Sequence, residues 1–430
     1  MASHTDNDIE TPRPGTWLSR LGPGLITGAA DDDPSGIATY SQAGARFGFG
    51  LLWAMLLTYP LMVAIQVISA HIGRVSGRGL ATNLQRIAPR WLVLTMVGLL
   101  ALTNVINIAA DISAMGDAMA LVAPGRPHWY ALGFGLLSVL LQVFLPYQRY
   151  VNILKWLTLV LLAYVATVFV VHVPWGEVAR AAFWPQVKWS GDYVTTIVAV
   201  FGTTISPYLF FWQASQEVEE LRADDQAAPL RHAPAQVAAQ FSRIRFDTLV
   251  GMGVSNVVAF FIMLTAAATL HVHGVHDVQS SAQAASALRP IAGELAFMLF
   301  AMGIVGTGLL AIPVLAGSAA YALAGVFHWK NSLDLEFSAA RKFYAIIIVA
   351  TMAGAAMVFA PIDPMQALFW SSVINGVTAV PIMVLMMVVA SSPRIMGKLP
   401  ISRPLRLLGW MCTGLMLVAV LAMFGTMLLG

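Results

Sequence analysis

The sequence predicts an all-α membrane protein with eleven transmembrane helices, built from two five-helix repeats and one additional helix. Composition is the first reason: 58% of the 430 residues are hydrophobic, only 10% are charged, and the mean hydropathy is +0.75. No soluble domain of this length has such a composition. The second reason is that apolar stretches long enough to cross a bilayer recur along the whole chain. The third is a proline-containing interruption in both the first and the sixth of these stretches.

The apolar stretches give the helix count in chain order. They cover about residues 22–46, 50–72, 91–122, 129–147, 150–173, 192–216, 245–272, 290–325, 342–360, 365–390 and 405–429. Residues 1–20 are polar, lack a signal-peptide core and are expected to form a cytoplasmic tail. Residues 21–430 then form a single transmembrane domain, with repeat one at about 21–175, repeat two at about 190–392 and the extra span at 404–429.

Lys and Arg residues are distributed as expected for eleven spans with a cytoplasmic N-terminus and the C-terminus outside. All but five of the chain's 24 Lys and Arg residues then fall on the cytoplasmic side, the exceptions being Arg46, Arg126, Arg180, Lys188 and Arg289. The net charge of +3 therefore reflects orientation and does not indicate a nucleic-acid partner. The only cysteine, Cys412, lies in the last span, which excludes a disulfide framework and a cysteine metal site.

The first span is interrupted by the run DDDPSG at residues 31–36. Carboxylates at membrane depth are costly, which makes this run a candidate functional site. Pro34 removes a helix hydrogen bond, and the Ser and Gly beside it favour leaving the helix. Backbone carbonyls freed next to a carboxylate can hold a cation.

The sixth span carries a similar interruption, with Pro207 between Ser206 and Tyr208. Paired interrupted helices at corresponding positions of two halves point to a transporter with inverted repeats and a binding site near the membrane midplane. The alternative is that both prolines merely kink ordinary helices. The matching positions, and the acids beside Pro34, favour the transporter.

Three segments resemble parts of one known family. GPGLITGAADDDPSGIAT and TTISPYLFFWQAS resemble the first and sixth helices of Nramp divalent-metal transporters, which carry Asp-Pro-Gly-Asn and Met-Pro-His. QVISAHIGRVSGRGL, residues 66–80, resembles the end of the family's second helix. The resemblance implies a LeuT-type fold with helices 1 and 6 broken and a divalent metal ion as the transported partner.

Departures from the family pattern concern the metal site itself. Asp33 falls on the family's metal-binding Asp, and Thr203 falls where the family offers a backbone carbonyl. Elsewhere Gly36 replaces Asn, Ser206 replaces Met, Tyr208 replaces His, and Gln213 stands where a further His would be. This pattern resembles the Nramp-related magnesium transporters, a bacterial branch, which implies the bacterial inner membrane as the location.

Ligand chemistry also favours a magnesium transporter over a transporter of soft transition metals. Thioethers suit soft transition metals, whereas carboxylate, hydroxyl, carbonyl and water suit Mg²⁺, Ca²⁺ and Mn²⁺. Mg²⁺ is normally held through one or two carboxylates with several waters retained. The predicted metal site therefore has Asp33 as its principal ligand, Asp32 behind it, oxygens from Thr203 and Ser206, and room for water at Gly36.

The third span carries a polar stripe of Asn104, Asn107 and Asp111 that should face the bundle interior. Asn107 and Asp111 are candidate pathway residues, although interhelical hydrogen bonds alone would explain the stripe equally well. Asp111 resembles the acidic residue of the family's third helix. The position three residues earlier, a second acid in proton-coupled members, is Ile108 here, so a proton relay is incomplete.

Other polar groups have simpler interpretations beside the functional ones. Asn375 in the tenth span could reach the site, but interhelical bonding explains it more simply. His271, His273, His276 and Asp277 could form a metal site at the outer end of span 7. Histidines without a functional role are also common in such loops. Glu217, Glu219 and Glu220 could draw cations to the exit. The favoured interpretation is that they belong to a solvated loop.

We therefore expect a secondary transporter, not an enzyme, that imports hydrated divalent cations, Mg²⁺ first and also Mn²⁺, driven by the membrane potential without proton coupling. No cofactor is expected, and a single chain in the lipid bilayer should suffice for function. The alternative is a proton-coupled Mn²⁺ or Fe²⁺ symporter. A channel would not explain two half-broken helices, and an intramembrane enzyme would need a nucleophile with a base or a His/Glu metal motif, which no mid-span histidine supplies.

Overall fold

A computed structural model describes residues 23–145, 159–185, 187, 189–224, 226–360 and 363–429. These residues form helices and contain no β-strand. The predicted tail, residues 1–20, and residues 150–158 of the predicted fifth span lie outside the described ranges.

We number the α-helices in chain order. They are α1 (Pro23–Asp31), α2 (Pro34–Phe47), α3 (Leu52–Ser76), α4 (Leu80–Leu84), α5 (Arg90–Ala120), α6 (Pro127–Phe144), α7 (Leu162–Val170), α8 (Trp175–Phe183), α9 (Gly191–Thr204), α10 (Pro207–Ala223), α11 (Val237–Ala266), α12 (Ser281–Ser286), α13 (Arg289–Ala292), α14 (Ala296–Phe327), α15 (Arg341–Met357), α16 (Pro364–Ser391), α17 (Pro393–Met396) and α18 (Arg403–Leu429). A π-helical turn, Ala267–His271, extends α11.

Eight helical stretches of the described residues are long and apolar enough to cross a membrane. One of them runs from Pro34 to Ser76, because the turn Gly48–Leu51 joins α2 to α3 without a gap. The structure thus agrees with an all-helical membrane protein. The count of eleven spans and the repeat boundaries stay predictions.

Both predicted breaks are present. The first separates α1 from α2 at Asp32 and Asp33, and the second separates α9 from α10 at Ile205 and Ser206. In each case the second half-helix starts with proline, whose missing N–H and fixed φ suit the first helical position. The prolines therefore begin new half-helices and do not merely kink continuous ones.

Glycines let the half-helices approach their neighbours with backbone in contact. A Cβ atom added at Gly202 on α9 would lie 2.5 Å from the amide nitrogen of Gly376 on α16. Cβ atoms at Gly28 on α1 and Gly44 on α2 would meet the backbone of α11 at Gly251 and Met263. Three of the four half-helices, α1, α2 and α9, are thus seated directly on the backbone of a longer helix.

This packing predicts that Gly202→Ala is destabilising by about 1–3 kcal/mol, because a methyl group has no space against the α16 backbone. A lower unfolding temperature of the purified protein in detergent would be the readout. Gly98→Ala on α5 is the control: a Cβ there meets nothing within 4 Å, so its unfolding temperature should be unchanged or slightly raised. Equal unfolding temperatures for the two variants would contradict the packing argument.

Candidate functional site

Asp33 occupies the first break and serves as the N-cap of α2. Its Oδ1 atom accepts hydrogen bonds from the Gly36 N–H at 2.7 Å and from the Ser35 hydroxyl at 2.6 Å. Its Oδ2 atom accepts one from the Tyr208 hydroxyl at 3.2 Å. Since Tyr208 is the second residue of α10, this bond joins the two broken spans at a carboxylate that is only 1% exposed.

The second break contributes oxygen atoms close to Gly36, which itself donates to the Asp33 carboxylate. The Ser206 hydroxyl lies 2.8 Å from each of the carbonyl oxygens of Gly202 and Thr203, either of which can accept its single proton. The Thr203 hydroxyl oxygen is 3.2 Å from the position that a Cβ on Gly36 would occupy. The predicted residues Asp33, Gly36, Thr203, Ser206 and Tyr208 are therefore brought together where the two breaks meet.

The half-helices give the site a directional electrostatic field. The last-turn carbonyls of α1 and α9 carry the negative end of each helix dipole and favour a cation at the breaks. The positive N-terminus of α2 is already neutralised by its Asp33 cap. The N-terminus of α10 has no side-chain cap and presents a positive helix end at the second break.

The expectation of open space at Gly36 needs revision. A Cβ at this position would contact the Thr203 hydroxyl at 3.2 Å, the Tyr40 ring at 3.3 Å and the Asp31 carbonyl at 3.4 Å. Glycine is thus needed here for the close approach of α2 to α9. An asparagine at position 36 would have to displace one of these neighbours.

The predicted stripe on the third span lies inside the bundle, on α5. Asn104 donates at 2.8 Å to the Leu315 carbonyl and to the Ser318 hydroxyl on α14, which makes it a helix-joining residue. Asn107 instead donates to Asn375 Oδ1 on α16 at 3.1 Å. Asn375, predicted from its isolation in the tenth span, therefore reaches the third span.

Asp111 is the unusual member of the stripe. It is fully buried, and neither carboxylate oxygen has a hydrogen-bond partner among the described residues. A buried ionised carboxylate without a donor is costly, so Asp111 either carries a proton or faces water or a cation.

Gln213 lies on the inner half of the sixth span and takes part in a different contact. Its Oε1 atom accepts a hydrogen bond of 2.5 Å from the Thr27 hydroxyl on α1. The contact ties α1 to α10 on the inner side of the breaks. No contact of Gln213 with Asp33 is present in the described structure, so we assign Gln213 to the wall of the site.

Asp31 and Asp32 turn toward α11 and away from Asp33's partners. The Ser255 hydroxyl lies 2.8 Å from Asp31 Oδ2 and 3.1 Å from Asp32 Oδ1. No spacing in the sequence linked residue 255 to the first break. Asp32, predicted to lie behind Asp33, thus shares none of the hydrogen-bond partners of Asp33.

Two cavities approach the site from opposite ends of the bundle. The larger, about 530 Å³, lies between the predicted outer ends of α2, α9 and α16 and includes Gln42, Asp192 and Asp277 among its lining residues. The smaller, about 300 Å³, lies at the inner ends of α3, α10 and α14. Asp33 is not among the residues that line either of these two cavities.

The outer cavity carries a stable negative charge at Asp277. Gln42 Nε2 donates to Asp277 Oδ1 at 2.5 Å and Gln279 Nε2 donates to Oδ2 at 3.2 Å. These hydrogen bonds, that from Gln42 first, hold the pKa of Asp277 below its usual value. The carboxylate therefore stays ionised at neutral pH and attracts cations to this mouth.

The interpretation of Glu217, Glu219 and Glu220 as a solvated loop is wrong. Helix α10 continues to Ala223, and Arg243 on α11 pairs with Glu217 at 2.5 Å and with Glu220 at 3.0 Å. Glu219 accepts hydrogen bonds from Tyr321 and Ser332. The acids therefore hold the inner ends of the helices together.

The histidines of span 7 do not assemble a metal site in this structure. His271 Nδ1 lies 2.7 Å from the Ala45 carbonyl and 3.2 Å from His276 Nδ1, while Asp277 faces Gln42. Throughout the described ranges no three His, Cys, Asp or Glu side chains form a group suited to a metal ion. Any cation at the breaks would accordingly rely on few carboxylates and on neutral oxygens.

A family model described as natural resistance-associated macrophage protein-like, or Nramp, matches residues 24–426. The chain belongs to the Nramp family. This confirms the resemblance stated for the first, second and sixth helices, while the magnesium-transporting branch is not distinguished by the match.

Curated relatives of this Nramp protein span nearly its whole length. It is 24% identical over 423 residues to the divalent metal cation transporter MntH of Klebsiella pneumoniae, covering 95% of this chain and 94% of the relative. It is also 24% identical over 422 residues to MntH of Deinococcus radiodurans, covering 96% and 89%. The expectation of a membrane transporter, not an enzyme, is confirmed.

Solved structures show the same fold. A mutant of the Eremococcus coleocola manganese transporter matches with a TM-score of 0.73 at 16% identity, covering 97% of this chain and 88% of that one. Mhp1, a nucleobase-cation-symport-1 family transporter, matches with a TM-score of 0.54 at 14% identity, covering 94% and 92%. The prediction of a LeuT-type fold for this Nramp protein is thereby confirmed.

Proposed function

We propose that this Nramp-family protein imports hydrated divalent cations, Mg²⁺ first and also Mn²⁺, driven by the membrane potential without proton coupling. The observation that carries the proposal is the donor set at the two breaks. Asp33 supplies one carboxylate, the Tyr208 hydroxyl contacts it, and the second break adds the Ser206 hydroxyl and the Thr203 carbonyl. Hard oxygen donors with few carboxylates suit a cation that keeps several waters.

The residue roles follow from this geometry. Asp33 is the principal ligand, and the carbonyl of Thr203 with the hydroxyls of Ser206 and Tyr208 contacts the cation or its waters. Gly36 permits the close approach of the breaks. Asp111, through its unpartnered oxygens, and the Asn107–Asn375 pair complete a polar wall for the hydrated ion.

Ion flux into proteoliposomes is the direct test. Purified protein is reconstituted, and entry of Mg²⁺, Mn²⁺, Ca²⁺ and Cd²⁺ is followed separately, with and without a pH gradient. We expect measurable Mg²⁺ and Mn²⁺ entry and little Cd²⁺ entry. Cd²⁺ flux without any Mg²⁺ flux would favour the alternative, an ordinary proton-coupled Mn²⁺ or Fe²⁺ symporter.

Proton coupling is expected to be absent, because Ile108 interrupts the acidic pair on α5 and is packed in the apolar interior, fully buried. Tyr208 and Gln213 likewise replace the titratable histidines of the sixth span. A divalent cation gains about 4.6 kcal/mol from 100 mV, roughly a 2,000-fold accumulation, so no cotransported ion is required.

The measurement uses a pH-sensitive dye inside vesicles held at an inside-negative potential. Mg²⁺ addition should leave the internal pH unchanged, and a proton ionophore should not alter the Mg²⁺ entry rate at a fixed potential. Acidification in proportion to Mg²⁺ entry would mean that Asp111 or another group carries protons.

We also propose the bacterial inner membrane as the location, with the N-terminus in the cytoplasm, the C-terminus outside and a single chain sufficient for transport. The distribution of Lys and Arg supports this orientation. Reporter enzymes fused to each terminus test it, because an eleven-span chain places the two reporters on opposite sides.

A further inference from the structure

Three consecutive buried carboxylates stand at the first break, and the proposed cation site uses one of them. Asp31 and Asp33 are each 1% exposed and Asp32 is 5% exposed. No Lys or Arg in the described ranges forms an ion pair with any of them. The proposed site at Asp33 therefore gives no role to the carboxylates of Asp31 and Asp32.

The pair shares one donor. Ser255 has a single hydroxyl proton, yet its oxygen lies 2.8 Å from Asp31 Oδ2 and 3.1 Å from Asp32 Oδ1. It can donate to only one carboxylate at a time. The other carboxylate is then left without a donor in a buried position, which is costly.

Asp31 also has an oxygen that is entirely free. Its Oδ1 atom is buried and has no hydrogen-bond partner among the described residues. Two carboxylates that each lie within hydrogen-bond distance of one hydroxyl oxygen match the ligands that Mg²⁺ and Mn²⁺ take from proteins, with water completing the shell. The geometry therefore suits a cation better than it suits a closed hydrogen-bond network.

We propose that Asp31, Asp32 and Ser255 form a second divalent-cation site, on the inner side of Asp33. This inference rests on the proposed function, because the ligand is the transported cation. Asp31 ends α1, whose N-terminal end is predicted to face the cytoplasm, whereas Asp33 caps α2, whose Ala38 and Gln42 line the outer cavity. The cation passes from Asp33 to the Asp31–Asp32 pair on its way inward. Two divalent ions this close repel each other strongly, so the sites are occupied in turn.

Mn²⁺ binding to purified full-length protein tests the inner site, with free Mn²⁺ followed by its paramagnetic resonance signal. The wild type should bind one Mn²⁺. Asp33→Asn should still bind one Mn²⁺ at the inner site, with an affinity at most about tenfold lower than that of the wild type. The double variant Asp33→Asn with Asp31→Asn should lose saturable binding. The matched control combines Asp33→Asn with Asp117→Asn, in the last turns of α5, and should behave as Asp33→Asn alone.

Loss of all binding in Asp33→Asn, or equal binding by Asp33→Asn with and without Asp31→Asn, would overturn the inner site. Absence of Mn²⁺ binding and flux in the wild type would instead overturn the proposed function. The single variant Asp31→Asn guards against misfolding as an explanation. It should bind Mn²⁺ at Asp33 as the wild type does yet transport it at least tenfold more slowly, and wild-type transport by Asp31→Asn would also overturn the proposal.

Discussion

Asp33→Ala is expected to lower the rate of cation uptake by at least about 100-fold, because the substitution removes the carboxylate on which the proposed site depends. Losing one partner of a buried charged contact costs about 3 kcal/mol or more, which corresponds to over 100-fold in affinity. Initial rates of Mg²⁺ and Mn²⁺ entry into proteoliposomes, measured at equal protein content, provide the test.

The dual role of Asp33 requires a matched variant. Alanine also removes the N-cap of α2, a loss of about 1 kcal/mol, whereas Asp33→Asn keeps a side-chain oxygen that can accept the Gly36 N–H. Both variants should lose uptake, and only Asp33→Ala should show a reduced unfolding temperature. Near-normal uptake by folded Asp33→Asn protein would refute the site assignment.

Ser206→Met is expected to shift ion preference toward Cd²⁺ by roughly tenfold or more, about 1.4 kcal/mol. The thioether supplies the soft ligand that the break lacks. The substitution also removes the hydroxyl that lies within hydrogen-bond distance of the carbonyls of Gly202 and Thr203. The readout is the ratio of Cd²⁺ to Mg²⁺ affinity, measured by competition with Mn²⁺ binding.

Ser206→Ala is the control, because it frees the same carbonyls without adding sulfur. Its Cd²⁺ to Mg²⁺ ratio should stay near that of the wild type. If alanine and methionine give the same ratio, ligand softness at position 206 does not set selectivity. Asparagine at position 36 is better left out of this test, since Thr203 and Tyr40 contact the space it would need.

Much of the fold and the centre of the site could be predicted because their signals are local. Hydropathy and length are sufficient to recognise membrane helices, and proline in the middle of an apolar span marks a break. Pro34 and Pro207 therefore placed both breaks correctly, and Asp33 followed as the carboxylate beside the first of them.

What could not be predicted depends on which helices touch. Ser255 lies more than 220 residues from Asp31 along the chain, and nothing in its own helix marks it as a partner. Asn104 and Asn107 occupy the same stripe of α5, yet one bonds α14 and the other α16. Glu217 resembled a loop residue because its partner, Arg243, comes from the following helix. Tertiary contacts, unlike helix breaks, cannot be recognised from a short stretch of sequence.

The backbone contacts at Gly28, Gly44 and Gly202 have a mechanical consequence. Both α1 and α2 are seated on α11, and α9 is seated on α16, with no side chains between them to rearrange. Close-packed contacts of this kind move as rigid bodies and do not deform gradually. Opening to one side should therefore move α1, α2 and α11 together as one body and α9 with α16 as another. Residues 205–206, between α9 and α10, are the expected hinge, so that Ser206 both faces the proposed cation site and lies where the molecule turns.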